Sequence, residues 1–198
     1  MSVTDAGPRS ARAERTRVAI ADALLSLLDE GDLQPTANRI AERAGISLRL
    51  IYHHFGDLEA LFQEASQRET VRLLARVRPV ALDQPFADRL DAFVDQRCNL
   101  LEWMTPVCRA AALHAPTSET LRAARRQATR AGDHELERVF APEIAGLAEP
   151  QRRPVVDALC ALTSWSTWDD LRTRGLSQTA SRDAVRQVLA GMLGPRPA

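Results

Sequence analysis

The chain has 198 residues, 45% of them apolar, and its 26 basic and 26 acidic side chains leave a formal net charge of zero. That length suffices for one sizeable core or for a small domain joined to a larger helical one. The neutral balance excludes a protein that coats nucleic acid by bulk charge.

No lysine occurs, so every cation among the charged side chains is arginine. Ala, Leu and Arg dominate and β-branched runs are scarce, which points to an all-α protein. Residues 1–9 are small and polar with Gly7-Pro8, and read as a disordered arm. A first helix is predicted over 10–30, with Ile20, Leu24, Leu27 and Leu28 at the spacing of one buried face. Gly31 suits its end, because glycine accepts the left-handed conformation. Thr36 is placed to cap a second helix, ANRIAERA, through its side-chain oxygen. Gly45 ends that helix, and Ser47 stands at the cap of a third, LRLIYHHF. Asp57 caps a fourth over 58–77. Pro79 and the PVALDQPF stretch mark a bend or linker.

Beyond it, helices are predicted over 86–103, 106–114, 117–140, 152–173 and 180–193. The expected breaks fall at Thr105-Pro106, Ala115-Pro116, Ala141-Pro142, Glu149-Pro150 and Gly175, since the residue before proline is pushed out of α geometry. Domain limits follow: an arm over 1–9, a helical head over 10–56 and a larger helical domain over 57–198.

Two short helices joined at Gly45 match a helix-turn-helix. The second helix of such a pair packs one face inward and lays the other in the DNA major groove. Ile46, Leu50 or Ile51, and Phe55 can supply the inward face. Ser47, Leu48 and Arg49 stand at the N-terminal end, where base edges are reached. Tyr52, His53 and His54 offer O–H and N–H donors to phosphates. Helix N-termini add dipole attraction for phosphate. Local placement has to carry this reading, because residues 1–60 hold seven Arg against nine Asp or Glu.

At these residues the sequence resembles the TetR-type transcriptional regulators. Thr36, Ile40-Ala41, Ala44-Gly45, Ser47, Tyr52 and His54-Phe55 follow the family's order and spacing, and Leu58-Glu59-Ala60-Leu61-Phe62 continues as its fourth helix begins. The resemblance covers residues 12–62. It implies a three-helix DNA-binding head and a C-terminal helical domain that binds a small effector and dimerises. Most such proteins are repressors that leave a palindromic operator when ligand binds. The implied partners are double-stranded DNA, a second copy of the chain and an effector, with no cofactor and no membrane. Two positions depart from the pattern. Many relatives have small residues or Thr, Ser or Ala where Arg49 and Leu50 stand. Relatives often carry Lys where Leu58 stands, so one phosphate contact is missing. Arg49 suits a bidentate contact to guanine, and Leu48 or Leu50 a thymine methyl. Arg39, Arg12, Arg15 and Arg17 are candidate phosphate partners, the alternative for each being a solvated surface arginine. Adjacent His53 and His54 diverge by about 100° on a helix, which argues against a metal pair.

The resemblance fades after residue 62. Trp103, Trp165 and Trp168 are either core packing or the wall of an effector pocket, which is mostly apolar with few polar groups. Phe93, Met104, Cys108 and His114 are candidates to join them, and Arg97 to hold an anionic or carbonyl-bearing ligand. Val155, Leu159 and Leu162 form one stripe, and Val185, Val188, Leu189 and Met192 another. The family implies that such helices from two subunits make a four-helix bundle; the stripes alone fit internal packing equally. Arg122, Arg125, Arg126 and Arg130 read as a solvated helix face.

Cys98, Cys108 and Cys160 lack metal or CxxC spacing and read as small apolar residues in a reducing compartment, or as thiol sensors. The first residues lack the apolar core of a signal peptide, and no apolar run approaches the ~20 residues that span a bilayer. A cytoplasmic protein is expected. No G-x-S-x-G, phosphate-cradling loop or HExxH is present, and Ser164, Ser166, Asp169 and Asp170 have no histidine nearby, so no enzyme is expected. The competing reading is a helical interaction module that has lost DNA binding.

Overall fold

A computed structural model describes residues 8–114 and 118–194. The arm expected over 1–9 and the break expected at Ala115-Pro116 lie largely or wholly outside the described residues. Among those described there are ten helices and no strand. They are α1 (Pro8–Asp29), α2 (Ala37–Ala44), α3 (Leu48–Phe55), α4 (Leu58–Arg76), α5 (Phe86–His114), α6 (Glu119–Val139), α7 (Ala141–Ala145), α8 (Arg152–Leu162), α9 (Trp165–Thr173) and α10 (Gln178–Leu193).

The first four helices begin and end close to where their caps direct. Gly31 takes φ 90°, and Gly31 and Asp32 return their N–H groups to Leu28 and Leu27 of α1. The Thr36 side chain accepts from the Arg39 N–H at 3.3 Å. Gly45 takes the left-handed conformation at φ 67° and closes α2. Asp57 Oδ1 accepts from the Ala60 N–H at 2.8 Å and starts α4.

Three expectations are corrected beyond α4. No break occurs at Thr105-Pro106: α5 runs through it. Pro106 lacks the N–H that would meet Glu102, a loss of about 3 kcal/mol in a helix interior. Burial on both sides offsets it, with Leu101 and Ala110 both buried. The single helix expected over 152–173 is two. Thr163 turns its hydroxyl onto the Leu159 carbonyl at 3.0 Å, and Ser164 caps α9 by accepting from the Thr167 N–H at 3.4 Å. The short α7 was not foreseen; its Pro142 stands in the first turn, where a missing N–H costs nothing.

Packing divides the chain into two compact units. One holds the chain up to Leu74 together with Pro106–Arg122, and the other Ala75–Thr105 with Ala123 onward. The first unit extends past residue 56, because Leu61, Phe62 and Ala65 of α4 are buried in the same core as Ile20, Leu24, Ile40 and Ile51. The second unit centres on Phe93, Val94, Leu136, Phe140, Leu159, Trp168, Val185 and Leu189. Buried Arg89 is satisfied there by the Val139 carbonyl and by Glu143.

Candidate nucleic-acid interface

Helix α3 has two distinct faces. Ile51 and Phe55, four apart, are buried in the head's core. On the other side Leu48, Arg49, Tyr52 and His53 are exposed, with Tyr52 46% and Leu48 37% accessible. Leu50 and His54 lie between the two faces and are half-buried. Polar tips and core-forming residues thus alternate because one helix serves two surroundings.

Three clasps fix α3 and α2 in the head. The Arg17 guanidinium lies 4.5 Å from the Phe55 ring centroid, donates to the His54 carbonyl at 2.7 Å and pairs with Glu64 at 2.6 Å. It thereby satisfies a carbonyl in the last turn of α3 that has no helical partner. Arg43 donates to both Glu30 oxygens at 2.6 Å and to Ser26 at 2.7 Å, tying α2 to α1. Asp22 of α1 accepts from Arg68 and Arg72 of α4. Arg17 is therefore a clasp and not a free phosphate partner. Nothing in the sequence pairs residues so far apart, so these three clasps were not foreseen.

The candidate contact residues divide accordingly. Arg49 makes no hydrogen bond or ion pair with the described residues and is exposed. Arg39 pairs with Asp32 at 2.6 Å, but its side chain remains 57% exposed. Such surface pairs contribute about 0–1 kcal/mol and exchange readily for another anion. Thr36 is exposed with its oxygen engaged in capping. Ser47 has the extended backbone of a cap residue, but its hydroxyl makes no cap bond. Its expected capping role is corrected: the first turn is closed instead by the Leu50 N–H donating to the Ser47 carbonyl at 2.9 Å, and the hydroxyl stands at the positive end of the helix dipole. His54 is held below the usual histidine range, first by burial and then by His53 and Arg17. Near neutral pH it is an uncharged donor. Leu58 packs against the head's core, which accounts for an apolar residue where relatives often carry Lys.

The effector candidates do not share one surface. Phe93 and Trp168 are core, and the Trp168 indole donates to Glu102 at 2.8 Å. Trp165 donates to Thr105 Oγ1 at 3.3 Å, with Arg125 over its ring. Arg97 donates to the Gly132 carbonyl at 2.6 Å and sits over Phe93, and burial pulls its pKa down. Met104 packs at the edge of the second core. Cys108 and His114 belong to the first unit, where the His114 ring lies 4.2 Å from Phe62. Only Trp103 of the eight lines the open groove of about 570 Å³ in the second unit.

The two apolar stripes are likewise divided. Leu159, Val185 and Leu189 are buried in the second core, so they are internal packing and not an exposed interface. Val155, Leu162 and Met192 are half-buried, and Val188 is 43% exposed.

Residues 20–65 match the family described as bacterial regulatory proteins, tetR family. The chain is similar to the HTH-type transcriptional regulator BetI of Burkholderia thailandensis, 34% identical over 125 residues. That match covers 58% of this chain and 63% of the relative, so it spans less than two thirds of the relative's length. BetI of Burkholderia mallei matches at 33% over the same shares. In fold the chain is similar to a transcriptional regulator from Rhodococcus sp. Rha1, with TM-score 0.67, 22% identity, and 93% of this chain and 99% of that one covered. It is also similar to NalD, the secondary repressor of the MexAB-OprM multidrug efflux pump in Pseudomonas aeruginosa, with TM-score 0.56, 22% identity and coverage of 92% and 98%. The head thus matches the family model of tetR-type bacterial regulatory proteins over residues 20–65, and the chain as a whole shares the fold of solved transcriptional regulators.

Proposed function

We propose that the protein is a cytoplasmic, sequence-specific DNA-binding repressor that acts as a homodimer and leaves its operator when a small molecule binds the C-terminal domain. The observation that carries this reading is the outer face of α3. Arg49 and Tyr52 stand exposed there while Ile51 and Phe55 anchor the opposite side. In this reading Arg49 takes guanine O6 and N7, Leu48 meets a thymine methyl, and Ser47, Tyr52, His53 and Arg39 hold phosphates. The exposed Val188, with half-buried Met192 one turn further along α10, supports pairing of this helix with that of a second subunit. A twofold dimer sets two α3 helices about 34–36 Å apart on a palindrome.

The test is gel retardation on DNA upstream of the protein's own gene and on genome-wide bound fragments. The Arg49→Ala/Tyr52→Phe variant runs alongside. Retention of a specific fragment by the wild type and loss by the variant is the expected result. Specific binding that survives both substitutions would sink the site assignment.

A second reading, a helical interaction module without DNA binding, is favoured by the inward-packed Leu58, which removes a phosphate contact. Failure to retain any fragment at low salt would select it.

A further inference from the structure

The groove of the second unit has a chemistry of its own. Its wall begins at Arg76, the last residue of α4, continues through Arg78 and Val80, and is completed by Gln96, Leu100 and Trp103 of α5. The Arg76 guanidinium lies 4.6 Å from the Trp103 ring centroid. That cation–π contact holds the Arg76 side chain beside the groove. Neither Arg76 nor Arg78 makes an ion pair with the described residues, and no Asp or Glu lines the groove. Gln96 is held in place by accepting from the Arg78 backbone N–H. Val80 is buried and Leu100 and Trp103 half-buried, so the floor is apolar. Two guanidiniums without an ion pair to the described residues, set over an apolar floor with no carboxylate in its lining, mark a positive site. The volume of about 570 Å³ falls within the range of small-molecule sites.

We propose that this groove binds a small organic acid, an apolar or aromatic body bearing one carboxylate. Arg76, pre-oriented by Trp103, takes the carboxylate through its N–H groups. Arg78 adds positive field, and the body lies against Val80, Leu100 and the edge of Trp103. The assignment deepens the reading of a ligand-released repressor and rests on it for regulation, but ligand binding can be read in the absence of DNA.

The experiment is isothermal titration of the full chain, without DNA, using 2-naphthoate, phenylacetate and octanoate, each against its uncharged amide. At least one acid is expected to bind about tenfold or more tighter than its amide, the worth of one charge-assisted hydrogen bond. Arg76→Gln is expected to remove that preference while the amide still binds, and to lower the thermal midpoint only by the loss of the single Trp103 contact. Arg78→Gln is expected to reduce it severalfold. No binding by any acid, equal binding of acid and amide, or acid binding unaffected by Arg76→Gln would overturn the proposal. In a separate arm, Arg76→Gln should still retain operator DNA in the absence of acid. Loss of DNA binding by wild type and variant alike overturns the repressor reading alone. Binding of the acid without release of DNA confirms the groove and overturns its coupling.

Discussion

Arg17 and Phe55 lie 38 residues apart in sequence and 4.5 Å apart from guanidinium to ring centroid. The same guanidinium holds the His54 carbonyl and Glu64, so one side chain joins α1, the C-terminal end of α3 and α4. A cation over an aromatic ring contributes about 0.5–2 kcal/mol, and a charged hydrogen bond adds about as much. Arg17→Ala is expected to lower head stability by about 1–3 kcal/mol, read as a drop in the urea midpoint at unchanged slope. Arg17→Lys keeps the charge but loses the planar fork, and should recover only part of the loss. A wild-type midpoint in the alanine variant would refute the clasp.

Arg49 and Tyr52 should separate in what they control. Arg49→Ala is expected to cost about 1–3 kcal/mol at one operator position and relax specificity there. Tyr52→Phe removes one phosphate donor and should weaken all sequences alike by about 0.5–1.5 kcal/mol. Competition retardation with matched and single-base-changed operators reads both. An Arg49→Ala variant that keeps the wild-type ranking of operators would refute its role.

Neighbouring residues of α10 should behave in opposite ways. Leu189 is core, and Leu189→Ala is expected to cost about 2–5 kcal/mol. Val188 is exposed, and Val188→Glu should leave the unfolding midpoint nearly unchanged while shifting the protein from dimer to monomer in sedimentation velocity. A stable dimer in the glutamate variant would move the interface elsewhere.

His54 makes head stability depend on pH. Its folded pKa lies below the ordinary 6.5, mainly through burial. The unfolded chain then binds the proton more readily, so stability is full above that value and falls as pH drops through it. His54→Gln should flatten the decline between pH 7.5 and the mildly acidic range. Urea titrations at several pH values measure it, and an equally steep decline in the variant would assign the effect to other groups.

The cysteines give a chemical readout of packing. Burial pushes the Cys98 and Cys160 thiols up to about 12. At pH 8 such thiols are thiolate in roughly one molecule in ten thousand. Both should therefore react with a disulfide reagent far more slowly in native protein than in denaturant. Rapid native labelling of Cys98 would contradict its place in the core.

The head was legible because its signals are local. Thr36, Gly45 and Asp57 fix helix ends within a residue or two, and Ile51 and Phe55 stand one turn apart on the buried side. Resemblance added roles that spacing alone could not. The C-terminal domain was less legible because an apolar stripe reports burial but not the partner: Leu159, Val185 and Leu189 read the same whether they face their own core or another subunit. Thr163 breaks a helix through a hydroxyl bond to its own backbone, a competition that no periodicity displays. Pro106 shows the converse, a strong breaker overridden by burial on either side.

Helix α5 is continuous through Pro106, yet it lacks one rung of its amide ladder there, and the two compact units part at that same residue. The amides before and after Pro106 are thus protected by different cores. In hydrogen exchange the helix should behave as two blocks with separate opening energies, and a perturbation that loosens one half need not loosen the other.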